Sequence, residues 1–240
     1  MGEEIKMEIE TIKGRTWLQV RNGDNIVKLA YPPVAGTHQE CYQAIAKDKE
    51  LRAAEGVELA LLTHGAYTGK DEWKDVKQTC FQSNYTRTPN RVLWIPKDSI
   101  KGDKSLCGVL VEKDLEGKGL STKMEVPADF SDWKEQNGIY VKGDLTFVPK
   151  DKYTLDEIKE GDGFARAILG DEGASIFVKT ARDANLKPYN WGIDVSDISK
   201  PEQRVTLLFE GSFRLDLCGL NYLDSGDSRA FGVKKLSWKN

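Results

Sequence analysis

The chain has 240 residues, of which 39% are apolar and 30% charged, a balance that suits a folded globular protein and excludes an intrinsically disordered one. Its net charge of −3 and the lack of any basic run argue against nucleic-acid binding, which needs clustered Lys and Arg to neutralise phosphates. No apolar run approaches a bilayer span, and the acidic opening MGEEIKMEIE is not a signal peptide, so neither membrane insertion nor a secretion address is expected.

In chain order, Thr16 to Val20 and Ile26 to Ala30 read as two strands around Asn22-Gly23, a dipeptide that accepts the positive φ of a tight hairpin. Pro32-Pro33 ends this unit. Thr37-His38-Gln39-Glu40 is a capping box, in which Thr37 and Glu40 each satisfy an orphan backbone N–H, and the helix it opens should run to about Ala54. A second helix follows, with Val57, Ala60, Leu61 and His64 on one stripe. Arg91 to Ile95 and Leu106 to Glu112 are short apolar runs with strand character. Lys113 to Gln136 is charged and irregular, an exposed excursion. Ile139 to Val148 reads as two strand pieces. Thr154 to Gly161 carries another capping-box pattern, T-L-D-E, and predicts a short helix. Ala174, Phe177, Val178 and Ala181 repeat at helical spacing, so a helix should reach about Arg182. No repeat or linker interrupts the chain, and one domain over 1–240 is expected.

The most informative stretch is the C-terminal end, 204–235. Arg204 to Phe209 reads as a strand closed by Glu210-Gly211-Ser212. From Phe213 to Cys218 the chain alternates, placing Phe213, Leu215 and Leu217 on one face and Arg214, Asp216 and Cys218 on the other. Gly219 to Ser228 is a loop of turn formers, and Arg229 to Lys235 returns as a strand. From Gly211 to Ser228 there is no Lys, Glu, Gln, Met or Trp, although Lys and Glu abound elsewhere. A Gly, Ser and Asp-rich surface loop is the plain reading of that composition.

Candidates for chemistry are few. His38 and Cys41 make half a metal site with no complementary pair, so His38 is read as a satisfied surface or helix-start histidine. His64, on an apolar stripe, is read as packed core. Cys41, Cys80, Cys107 and Cys218 follow no disulfide or metal spacing. Asp216, Asp224 and Asp227 lack the ligand spacing of a calcium loop. Gly117-Lys118-Gly119 and Gly161-Asp162-Gly163 lack the spacing of phosphate loops. The Trp and Tyr residues are read as core, Tyr222 excepted. No catalytic set, metal site or cofactor is expected.

Two stretches carry a family resemblance. Arg52 to Tyr67 (RAAEGVELALLTHGAY) is similar to the second helix of C-type-lectin-like folds of the formylglycine-generating-enzyme kind. The closing RVTLLFEGSF, RLDLCGLNY and RAFGV resemble that fold's terminal strands, where a Gly-Ser-aromatic turn precedes a closing strand, here Ala230-Phe231-Gly232-Val233. Within the fold, the chain most resembles variable proteins of diversity-generating retroelements, including those of archaea and their viruses. In these, adenine-directed rewriting of asparagine codons gives products that exclude Lys, Glu, Gln, Met and Trp, the set missing from 211–228. The resemblance implies an α+β, C-type-lectin-like fold of mixed small sheets, with two helices in the N-terminal half, long irregular insertions and a variable region at about 204–235. It implies a binding protein, not an enzyme, with Phe213, Asp216, Cys218, Leu220, Asn221, Tyr222, Leu223, Asp224, Ser225 and Asp227 as contacts to a protein or cell-surface ligand. Arg214, Leu215, Leu217, Gly219, Arg229, Phe231 and Gly232 would be scaffold. The paired late cysteines of formylglycine-generating enzymes are missing, as are the calcium and sugar signatures of animal lectins. The alternatives are a formylglycine-generating-like or other thiol enzyme using Cys218, a site at His64, or a structural virion component.

Overall fold

A computed structural model describes residues 5–117, 122–222, 224 and 226–235. The chain is a mixed α+β protein with 26% helix and 39% strand. Its elements are β1 (Lys6–Ile12), β2 (Arg15–Asn22), β3 (Asn25–Tyr31), β4 (Val34–Gly36), α1 (His38–Lys47), β5 (Leu51–Ala53), α2 (Gly56–Thr68) and α3 (Lys74–Lys77). The middle supplies β6 (Tyr85–Ile95), β7 (Gly108–Lys113), β8 (Lys134–Gln136), β9 (Ile139–Lys142), β10 (Leu145–Pro149) and α4 (Gly163–Asp183). The end supplies β11 (Lys187–Trp191), β12 (Glu202–Gly211), β13 (Arg214–Asn221), β14 (Ser228–Ala230) and β15 (Gly232–Lys234).

The first and last strands meet in a five-stranded sheet of order β1-β2-β3-β15-β5. The Asn22-Gly23 hairpin forms as read, with Asn22 opposite Asn25 and Gly23 at φ +59°. A ten-stranded sheet carries β11-β13-β12-β6-β7-β10-β9-β8, with β14 between β4 and the start of β6. Phe231 sits between β14 and β15, 1% exposed, and shares one apolar cluster with Leu18, Val20, Leu208, Leu215 and Leu217.

The capping box at Thr37 is present, with Glu40 N–H donating to Thr37 Oγ1 and Thr37 N–H to Glu40. The helix stops at Lys47, short of the expected Ala54. Leu51 and Ala53 instead alternate with period 2 and pair with β15, burying both side chains in the five-stranded sheet. The helix read at Thr154 to Gly161 does not form. Asp162, not Thr154, opens the next helix: its carboxylate accepts the N–H of Ala165, the N–H of Thr154 and Nδ2–H of Asn190. The 154–161 segment is held extended enough for Glu157 to bridge Tyr189 on β11. The stripe from Ala174 to Ala181 belongs to the longer α4, which breaks at Gly170 (φ +75°).

Glycine is required where α2 meets α4. A Cβ on Gly56 would stand 2.1 Å from the carbonyl oxygen of Ile168 and 2.5 Å from Leu169 Cα, so only glycine allows that approach.

Candidate ligand-binding surface

The β12–β13 hairpin is the frame of the site. It is flanked by β11 on one side and β6 on the other, and Leu207, Leu208, Leu215 and Leu217 are buried along it. Trp94 Nε1–H donates to Gly219 O (2.9 Å), which fixes the far end of β13; a Cβ at 219 would stand 2.8 Å from the Trp94 ring. The two strands are joined by a two-residue turn, Ser212-Phe213, with Gly211 opposite Arg214.

Phe213 does not share a face with Leu215 and Leu217, as the alternation implied. It occupies the turn at φ +59° and is 84% exposed, whereas the two leucines are fully buried. A bulky residue at positive φ costs about 1–3 kcal/mol, a strain found mostly where a side chain is aimed for a purpose. Asp216 and Cys218, read as displayed, are buried: 0% and 8% exposed. Larger side chains in register on the neighbouring strands shield them, Tyr189 and Phe209 beside Asp216 and Trp191 and Leu207 beside Cys218.

Beyond β13, Leu220 and Asn221 are half-buried and Tyr222, Asp224 and Asp227 are exposed. Tyr222 is 62% exposed, and the Arg204 guanidinium lies over its ring at 4.6 Å from the centroid. Leu223 and Ser225 lie outside the described residues. Phe213 and Tyr222 stand at opposite ends of β13, and nine residues of strand rise separate them by about 30 Å. The expected contacts therefore form two groups rather than one patch. Arg229 to Lys235 is also not a single strand: β14 and β15 join different sheets on either side of Phe231.

Residues outside the expected contact set enlarge the Phe213 end. Trp191 is 42% and Tyr85 38% exposed, against the reading of these rings as core. Tyr85 packs edge-on to Phe209 (5.2 Å between centroids), and Phe209 lies 6.3 Å from Trp191. The Arg214 guanidinium sits over Tyr189 at 4.4 Å and Trp191 at 5.2 Å, with Nε 3.4 Å from Asp216 Oδ1. Sequence reasoning missed this stripe because its rings come from three strands, β6, β11 and β12, and only tertiary register brings them together. The closely spaced aromatics of Tyr189-Asn190-Trp191 were the available signal.

Burial without a hydrogen-bond partner pushes the Asp216 carboxyl up to about 6, with Arg214 partly opposing the shift. Because the folded value lies above the unfolded 3.8, Asp216 favours the folded state at low pH, and that contribution is lost as pH rises through about 6. Relative to Asp216→Asn, the wild-type chain should lose about 1–2 kcal/mol between pH 4.5 and 7.5 in paired denaturant titrations. Other titrating groups are common to both proteins and cancel. A pH-independent difference between the two would refute the assignment.

The thiol alternative finds little chemical support. All four cysteines are unpaired, and burial pushes the Cys218 thiol up to about 11, leaving it protonated and weakly nucleophilic near neutral pH. Neither histidine is placed as a general base. His64 is buried and meets Thr180 Oγ1 through Nδ1 (3.0 Å). His38, read as a surface or helix-start histidine, does open α1 but is fully buried against Asp114 (Nε2 to Oδ2, 3.2 Å), and burial lowers its pKa. Among the described residues, no three His, Cys, Asp or Glu side chains gather as metal ligands. No helix among them is long and apolar enough to cross a membrane.

No family model, curated protein or solved structure matches the chain.

Proposed function

We propose that this chain is a ligand-recognition protein on a C-type-lectin-like scaffold, of the kind diversified by retroelements, with its contacts on the C-terminal hairpin and the connection after it. One observation carries the reading. Phe213 and Tyr222 are the two most exposed large apolar side chains among the described residues, and both fall in 211–228, the tract without Lys, Glu, Gln, Met or Trp. They project from a hairpin whose strands are buried, an arrangement in which side chains can change without disturbing the fold. The five-stranded sheet that joins the first and last strands, with α1 and α2 between them in sequence, supports the scaffold assignment. Binding energy would come from aromatic anchors, with Asp224 and Asp227 as polar rim. The partner is a protein or cell-surface ligand, and the protein acts without catalysis or cofactor.

The direct test is the flanking DNA. A near-repeat of the codons for 204–235 is expected beside a reverse transcriptase gene, with mismatches only at template adenines. Those mismatches should fall on Phe213 and on Leu220 to Asp227, sparing Leu208, Leu215 and Leu217. A repeat with mismatches spread over buried and exposed positions alike, or no repeat, would remove the retroelement assignment.

A further inference from the structure

We propose that the Phe213 end of the hairpin is an anion-recognition site, built on Arg214, that takes a carboxylate side chain of an acidic peptide or protein surface. Arg214 is preorganised. Two aromatic rings, Tyr189 and Trp191, hold its guanidinium at 4.4 and 5.2 Å, and buried Asp216 holds its Nε edge at 3.4 Å. Gly211 leaves the room this needs: a Cβ there would meet Asp216 Oδ2 at 2.4 Å and Arg214 Nη2 at 3.5 Å. Among the described residues, Nη1 and Nη2 make no hydrogen bond, so the outer edge of the fork is free to take a second carboxylate in bidentate fashion. Lys187 lies in register with Arg214 and is exposed, adding positive charge to the same edge.

Both carboxylate oxygens of Asp216 are buried and make no hydrogen bond, and the charged group within ion-pair distance of them is Arg214 Nε (3.4 Å), so the role of this acid is to orient Arg214. A protein partner is favoured over a saccharide by Phe213. At 84% exposure on a turn of positive φ, the ring stands clear on both faces. A sugar could cover one face, whereas an apolar pocket beside the partner's carboxylate can enclose the whole ring. The site rests on the recognition reading but uses different side chains from the Tyr222 end.

The probes are a capped tripeptide with glutamate between two leucines, its glutamine counterpart, and a uronic-acid tetrasaccharide. Binding is read from the Arg214 Nε–H and Trp191 indole N–H resonances during titration. The glutamate peptide should bind at least about ten-fold more tightly than the glutamine one, and Arg214→Gln should lose at least about that factor. Arg214→Lys should recover only part, because the fork is lost while the charge remains. Unchanged amide spectra away from the site would show that each variant is folded. The tripeptides probe only the Arg214 end, so a normal affinity of Tyr222→Ala for the cognate partner would sink the display reading at that end and leave this result intact. Equal affinity for the two peptides, an unaffected Arg214→Gln, or no shift well above about 1 mM would overturn the proposal. Binding of the tetrasaccharide but not the glutamate peptide would assign the site to acidic glycans and overturn the peptide assignment.

Discussion

Phe231→Ala should lower unfolding free energy by about 3–5 kcal/mol. The ring is 1% exposed and lies at the junction between β14 and β15, where the last strands of two sheets part. Its backbone carbonyl accepts the N–H of Ala54 (3.0 Å), so the main chain around it is pinned and cannot collapse into the cavity. Leu215→Ala, at 0% exposure in the same apolar cluster, should cost about 2–5 kcal/mol for the same reason. Tyr222→Ser and Asp224→Ser sit outside any such packing and should each stay within about 0.5 kcal/mol. Denaturant titration of the four variants separates the two sets. Similar losses in all four would contradict a division into scaffold and display.

Tyr222→Ala should instead act on binding, weakening the cognate partner by about 2 kcal/mol or more, roughly 30-fold. The ring is broad, has few rotatable bonds and is already steadied by Arg204 at 4.6 Å, so little ordering entropy opposes its use as an anchor. Arg204 is itself held by Glu202 (2.5 Å), which extends the support back into β12. Capture from cell-surface extracts with the wild-type chain supplies the partner, and titration with the variant supplies the ratio. Normal affinity of Tyr222→Ala for that partner would move the contact surface elsewhere. Cys218→Ser should leave binding unchanged, since the thiol is buried and packed rather than presented.

Local rules were legible along much of the chain. The Asn22-Gly23 hairpin, the Thr37 capping box, the second helix and the strand from Arg204 all depend on residues a few positions apart, and each forms, although α2 is buried on nearly every side rather than along one stripe and Val57 is only half-buried. The failures share a cause. Leu51 to Ala53 left the helix because β15, nearly two hundred residues on, offered a partner for its period-2 pattern. Thr154 lost its helix because Asp162 took the capping role and β11 claimed Glu157. At both places a long-range contact outweighed a local preference worth about 1 kcal/mol.

For the site, composition by itself marked 211–228 as unlike the rest of the chain, and Tyr222 as the aromatic ring in a polar loop. Periodicity could not tell which residues there face solvent. Alternation reports two faces of a strand, but β13 lies between β11 and β12, whose in-register side chains shield Asp216 and Cys218, so both are buried like Leu215 and Leu217. Only the turn geometry turned Phe213 outward, and only the register of β6, β11 and β12 gathered Tyr85, Phe209 and Trp191 into one stripe that ends under Arg214. Sequence determined which residues the C-terminal surface has available. Tertiary structure decided which of them reach solvent, because burial depends on what packs across the sheet, and those partners are distant in the chain.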